Sequence, residues 1–256
     1  MELRFGYFFV VNMAPGPRAG SSEIIETTYP DPIIKWAVAL LICGVCVAVS
    51  YLWIDRPVAY FVHNELLEWR GIFDVATRLP KVIGPLIIAC TFILGVRVAM
   101  RRQLTETQTV IALSALSLAV SDIPENWLKV AFGRTWPETW VQNNPSLIRD
   151  GVHNFNPFHG GPGFAAFPSG HMVAICAVMS VFWICWPRFR PIYVICIGAV
   201  FIGELGANYH FLSDLIAGGF LGFSVGWMII ALWNEGARPI GSKTPHRVRR
   251  RGSHAS

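Results

Sequence analysis

A chain of 256 residues that is 53% hydrophobic and only 14% charged, with a mean hydropathy of +0.45, carries more apolar surface than a soluble core can hide. Lipid is therefore the expected solvent for much of it, and a soluble globular enzyme is excluded. The net charge of +5 does not describe a nucleic-acid-binding face: Arg97, Arg101, Arg102, Arg188 and Arg190, and the basic run at 247–251, form short patches beside apolar segments, where they set membrane orientation.

In chain order, residues 1–32 mix Pro, Gly, Ser and acids and read as a flexible tail, with an apolar patch at 5–13 too short for a cleavable leader. Residues 33–54 form the first candidate span, stopped by Asp55-Arg56-Pro57. At 58–81 apolar residues such as Phe61, Leu66 and Trp69 alternate with His63, Glu65 and Arg70, the pattern of an amphipathic helix lying at the interface. Further spans are expected at 82–99, 107–132, 169–186, 192–207 and 215–233, and the last carries Gly218, Gly219, Gly222 and Gly226 for close helix contact. The fold class is an all-α integral membrane protein of about six transmembrane helices plus an interfacial helix. Its domain covers 33–236, and the basic tail 237–256 reads as disordered. The six cysteines all lie inside apolar runs, as small buried hydrophobes rather than disulfides or metal ligands.

Six spans put both termini and the two basic connections on one side, which the positive-inside tendency makes cytoplasmic. The long 134–168 loop, the start of the fourth span and the 208–214 turn then face outward. A loop of that length in a compact protein usually carries function. Its Arg149, Asp150, His153, His159 and the glycines at 160–163 are candidates to shape a head-group pocket, although single loop histidines are more often solvent-exposed; Trp136 and Trp140 read as interfacial aromatics.

Two short stretches carry the chemistry. Pro168-Ser169-Gly170-His171 opens an apolar run, which places free backbone N–H groups at a helix N-terminus beside a histidine, a setting that favours an anion such as phosphate. About forty residues on, His210 and Asp214 are four apart, so the carboxylate can hold the imidazole. Two histidines, one oriented by a carboxylate, beside an anion cradle point to covalent phosphoryl transfer without metal or cofactor.

These residues, Pro168-Ser169-Gly170-His171 with His210-x-x-x-Asp214, resemble the second and third motifs of the type 2 phosphatidic acid phosphatase superfamily. The resemblance covers roughly 129–219. It implies that His210 is the nucleophile, Asp214 its orienting partner and His171 the general acid, with Ser169 and Gly170 donating to phosphate oxygens. The first motif in that superfamily is a Lys, six residues, then Arg-Pro; here Lys129 and Pro137 are in register but Trp136 stands at the arginine's position. The third motif has Ser-Arg where this chain has Gly203 and Glu204.

Phosphoryl transfer depends on neutralising the equatorial oxygens. Lys129 and Arg134 are therefore the expected phosphate-facing cations, with Arg134 swinging in for the arginine that Trp136 replaces, and Asn208 a further amide donor. Glu204, a carboxylate in a span, is expected to orient one of those cations, to bind a substrate hydroxyl or ammonium group, or to serve structure alone. The resemblance implies a metal-independent lipid phosphatase of the bacterial cytoplasmic membrane, its site facing outward and its partners a lipid phosphate and the bilayer. The alternatives are a phosphotransferase using the same histidine chemistry and a catalytically weak lipid-phosphate binding or transport protein. Neither the lipid nor the oligomeric state is specified by these residues.

Overall fold

The structure is a computed structural model that describes residues 32–236 apart from 141; the tails expected at 1–31 and 237–256 lie outside the described residues. It is an all-α integral membrane protein. Among the described residues, five helical columns are long and apolar enough to cross a bilayer, Ile33–Glu65, Leu67–Ala99, Glu106–Phe132, Pro187–Gly206 and Leu212–Glu235, and the shorter apolar helix Gly170–Cys185 stands among them.

The first column is α1 (Pro32–Val49), a π-helical turn at Ser50–Ile54 and α2 (Asp55–Glu65). Asp55-Arg56-Pro57 does not stop it: Pro57 falls in the first turn of α2, directly after the π-helical turn, where the regular hydrogen-bond ladder is already interrupted. At about 1.5 Å per residue the 33-residue column is roughly 50 Å long, against a hydrocarbon core of about 30 Å. Its end therefore projects beyond the lipid.

A 3-10 turn at Leu67–Trp69 reverses the chain into α3 (Arg70–Thr77), which leads into α4 (Leu79–Ala99). The amphipathic stretch at 58–81 is thus two arms of a hairpin rather than one helix. α3 closes on the end of α8 (Arg190–Gly206), where Gly203 and Gly206 leave room for Phe73 and Ala76.

α5 (Glu106–Phe132) opens on a capping box, with Thr105 Oγ1 accepting from Gln108 N at 3.3 Å and Gln108 Oε1 accepting from Thr105 N at 3.1 Å. It ends at Gly133, whose φ of +55° is left-handed and whose Cα faces the Asn156 carbonyl, so that any side chain would collide there. The 134–168 loop, including the short α6 (Leu147–Asp150), folds back over this end, and Asn156 N donates to Phe132 O at 3.0 Å.

α7 (Gly170–Cys185) is the central helix, with Val173, Ala177 and Val181 fully buried. It packs along α9 (Leu212–Gly236), whose glycines let the two backbones meet; a Cβ on Gly218 would stand 2.6 Å from Ser169 O. Alternating helix directions gather the basic connections at one end of the bundle. The start of α7, the 207–211 turn and the start of α9 gather at the other.

Candidate active site

Five segments converge at that second end. They are the π turn before Asp55, the end of α5 with residues 134–136, the start of α7, the end of α8, and the turn into α9. Ser169 N donates to Asp214 O at 3.1 Å, which clasps the first turns of α7 and α9 together.

Arg134 lies at the bottom, fully buried. Its Nη2 donates to Asp55 Oδ2 at 2.6 Å and to His153 Nε2 at 3.1 Å; its Nη1 donates to Asp214 Oδ1 at 2.7 Å and to Ser213 Oγ at 2.5 Å. Ser213 Oγ in turn donates to Asp55 Oδ2 at 2.5 Å. The rings of Tyr51, Phe155 and Phe211 surround the guanidinium 4.5–5.1 Å from its carbon. The expectation that Arg134 faces the phosphate is corrected: it is locked between two carboxylates beneath the site, as expected of an ion whose desolvation must be offset by excellent pairing.

His210 lies above Asp214 and is nearly buried. Its Nδ1 is 3.5 Å from Asp214 Oδ2 and its Nε2 is 3.4 Å from Glu204 Oε2. Asp214 is already engaged, Oδ1 by Arg134 and Oδ2 by the Phe211 N–H at 3.0 Å, and His210 Nδ1 is a buried atom without a hydrogen-bond partner. The Trp136 ring leans on the imidazole, with centroids 5.0 Å apart.

Glu204 orients neither Arg134 nor Lys129. It reaches both histidines, with Oε1 3.1 Å from His171 Nδ1 and Oε2 3.4 Å from His210 Nε2, and its Oε2 accepts from Ser169 Oγ at 3.1 Å. Ser169 caps α7 at the same time, accepting from Met172 N at 3.4 Å. Its hydroxyl is thus committed to the protein rather than turned to open space.

Lys129 Nζ pairs with Glu125 Oε1 at 2.6 Å across one helical turn. This pair sits against Gly170, where a Cβ would meet Glu125 Oε1 at 2.6 Å and Lys129 Nζ at 3.4 Å. Asn208 does not offer its amide as expected: Nδ2 donates to Glu138 Oε1 at 2.9 Å and to Ala59 O at 3.2 Å. Glu138 also takes His63 at 3.0 Å and Arg70 at 3.5 Å, and Tyr209 donates to Asp74 at 2.9 Å, so the α2–α3 hairpin is strapped over the loop. Burial, and then the Asp74 carboxylate, push the Tyr209 phenol above its ordinary range.

The loop residues divide. His153 is buried on Tyr51, with ring centroids 4.7 Å apart, whereas His159 is exposed. Arg149 is spent on Asp150 at 2.9 Å and on Asn143. Gly160 and Gly161 do line a cavity of about 230 Å³ with Asn126, Lys129, Val130 and Ala165. An adjoining apolar groove of about 390 Å³ runs down the outer face of α5 past Ile123 and Trp127, sharing Asn126 and Val130 with it. Among the described residues, no group of three or more His, Cys, Asp or Glu side chains is arranged to hold a metal ion.

A family model described as the PAP2 superfamily matches residues 111–237, which hold Lys129, the 168–171 motif and the His210–Asp214 pair. The chain belongs to the PAP2 superfamily. It is similar to a lipid A 1-phosphatase of Rhizobium etli, 26% identical over 197 residues, covering 73% of this chain and 80% of the relative. A lipid A 1-phosphatase of Rhizobium johnstonii is 32% identical over 104 residues, covering 40% of this chain and 39% of the relative. Among solved structures it resembles the crystal structure of the first transmembrane PAP2 type phosphatidylglycerolphosphate phosphatase from Bacillus subtilis. There the TM-score is 0.48 and the identity 16%, covering 80% of this chain and 97% of that one.

Within this PAP2 chain, both residues that depart from the arginine positions, Trp136 and Glu204, contact His210. Four carboxylates (Asp55, Glu125, Glu204 and Asp214) stand around two cations, Lys129 and Arg134, and both cations are paired. Asp55, Glu125, Glu138 and the role of His153 were not found from sequence. The available signal was an acid inside an apolar helix, at Asp55 and Glu125, where burial of a charge implies a partner.

Proposed function

We propose that this PAP2 chain is a membrane lipid phosphatase that cleaves a phosphate ester or anhydride from a lipid through a phosphohistidine, without a metal. The observation that carries this reading is the pair His171 and His210, held 3.1 and 3.4 Å from one buried carboxylate at the N-terminus of α7. An imidazole so oriented can take up a phosphoryl group while the helix N–H groups face its oxygens. The groove along α5 supports a lipid substrate: acyl chains lie against Ile123 and Trp127, and the head group reaches Lys129 and the 160–161 glycines. Lipid A 1-phosphate enters the substrate panel because both curated relatives are lipid A 1-phosphatases; phosphatidic acid, phosphatidylglycerol phosphate and undecaprenyl diphosphate complete it. The chain sits in the bacterial cytoplasmic membrane with this site outward.

The test is phosphate release from that panel in detergent micelles, with and without EDTA. Release from one lipid that persists in EDTA is the expected result; loss in EDTA that added metal restores refutes the metal-free chemistry. Passing the phosphoryl group to an alcohol instead of water is the same chemistry with another acceptor, and thin-layer analysis of the lipid products separates the two. One observation favours a second reading. Four carboxylates around two paired cations make a poor trap for a dianion, as expected of a lipid-phosphate binding or transport protein that does not turn over. Saturable retention of a lipid without phosphate release would support it.

A further inference from the structure

We propose that Glu125 competes with the substrate for Lys129: its carboxylate holds this cation at the start of α7, and a phosphate binds by exchanging with it. This rests on the phosphatase reading and adds the residue that sets the site's affinity for phosphate.

Lys129 is the cation that borders the 230 Å³ cavity, together with Asn126, Gly160 and Gly161. Its Nζ donates to Glu125 Oε1 at 2.6 Å, one helical turn back on α5, and the two side chains are 22% and 10% exposed. Gly170, the first residue of α7, lies against this pair. A Cβ there would stand 2.6 Å from Glu125 Oε1 and 3.4 Å from Lys129 Nζ. The carboxylate oxygen that Lys129 holds therefore lies at the end of α7 where the first N–H groups and the helix dipole favour an anion. A phosphate oxygen drawn to the same ammonium and the same helix end would meet that carboxylate. Like charges so close together, away from bulk water, repel, so the two anions alternate on Lys129.

Of the four carboxylates around the site, Glu125 is the one free to leave. Asp55 takes Arg134, the Ser213 N–H at 3.1 Å and the Ser213 hydroxyl. Asp214 takes Arg134 and the Phe211 N–H, and Glu204 takes the Ser169 hydroxyl and stands between the two histidines. Glu125 has a single partner among the described residues, Lys129. Its withdrawal breaks one contact and leaves the Arg134 cluster and the carboxylates beside the histidines in place.

The exchange separates a lipid phosphate from free phosphate. Breaking the Glu125 pair weakens every phosphate by the same factor, so only a ligand with further contacts binds well. A lipid finds them in the apolar groove along α5, which shares Asn126 and Val130 with the cavity. Inorganic phosphate, the product, has no chain to lay there. Glu125 then regains Lys129 and the product leaves.

The test uses inorganic phosphate as the probe and the full chain in detergent micelles. Glu125→Gln keeps the size of the side chain and an acceptor oxygen but removes the competing charge. Its Kd for phosphate, read by titration calorimetry, should fall about tenfold below that of the parent, the worth of one charge-assisted hydrogen bond. Phosphate should become a stronger competitive inhibitor of lipid hydrolysis by the same factor. If Glu125 only held Lys129 in position, the substitution would leave phosphate binding equal or weaker, and either result overturns the exchange. Adding Lys129→Met to Glu125→Gln should abolish the gain; a gain that survives overturns the assignment of Lys129 as the contested cation. The unsubstituted protein supplies a readout that does not depend on any variant folding. On addition of phosphate its infrared difference spectrum should show a shift of a carboxylate stretch as Glu125 gives up Lys129, and an unchanged carboxylate region overturns the exchange. Finding no phosphate release by the parent from any lipid in the panel refutes the phosphatase reading. Hydrolysis by the parent without a gain of phosphate affinity in Glu125→Gln overturns the exchange alone.

Discussion

At the scale of single residues, Arg134 is a fully buried cation paired with two carboxylates of the protein. It ties Asp55, Ser213, His153 and Asp214 into one buried cluster. Removing it leaves two buried carboxylates facing each other. Arg134→Ala should therefore cost about 3–5 kcal/mol of stability, the usual penalty for breaking a buried ion pair from one side. The measurement is thermal unfolding in detergent. A parental melting temperature together with lost activity would instead return Arg134 to the phosphate. Arg134→Lys should fall between, since an ammonium cannot fork between Asp55 and Asp214. Tyr209 gives a pH signature. Its folded pKa is raised from about 10, so its bond to Asp74 is fully present below that pH and is lost as pH rises through the higher folded value. Tyr209→Phe should flatten the alkaline fall in melting temperature, checked by scanning pH 9 to 12.

Between elements, the contact of α7 with α9 matters most. Ser169 N bonded to Asp214 O, and Gly218 packed beneath the Ser169 carbonyl, fix the two helix starts that carry His171 and His210. Gly218→Ala forces that carbonyl to move, and overpacking of this kind typically costs about 1–3 kcal/mol. Activity should fall more than stability, since displacement of about 1 Å near reacting groups can cost about 100-fold in rate. Phosphate release and thermal unfolding measured on the same preparation check this. By contrast, Gly95 in α4 borders open space away from the site, and Gly95→Ala should leave both unchanged within about twofold. The α2–α3 hairpin is the second such element. Its hold on the loop runs through Glu138, and Glu138→Ala should loosen 55–77 first, visible as faster amide exchange there than in α7.

For the molecule as a whole, the proposed orientation follows from where the arginines sit. Arg97, Arg101, Arg102, Arg188 and Arg190 lie at the end of the bundle opposite the histidines. Gly160 is exposed and open, and so suits a labelling probe on the histidine side. In a background without the native cysteines, Gly160→Cys on intact cells should react with an impermeant thiol reagent, and Gln103→Cys should not. The reverse pattern would place the site inside.

Composition and apolar periodicity determined the class of this protein and nearly all its spans, because the bilayer demands long apolar segments whose backbone groups are satisfied within the helix. The PAP2 motifs likewise placed Ser169, Gly170, His171, His210 and Asp214 together, since each motif is local and sits at a helix start. What each side chain faces there was a tertiary matter. Asp55 looked like the end of a span, yet the helix runs through it and the π turn before it faces the carboxylate onto Arg134, 79 residues away. His153 looked like a solvated loop residue and is buried against Tyr51. Arg134, Asn208 and Glu204 looked free to serve a substrate, but burial favours pairing within the protein, and the carboxylates of Asp55, Asp214 and Glu138 and the hydroxyl of Ser169 lie nearest. Sequence spacing fixes which residues share an element; only the packing of five segments at one end of the bundle decides which charge is spent on which.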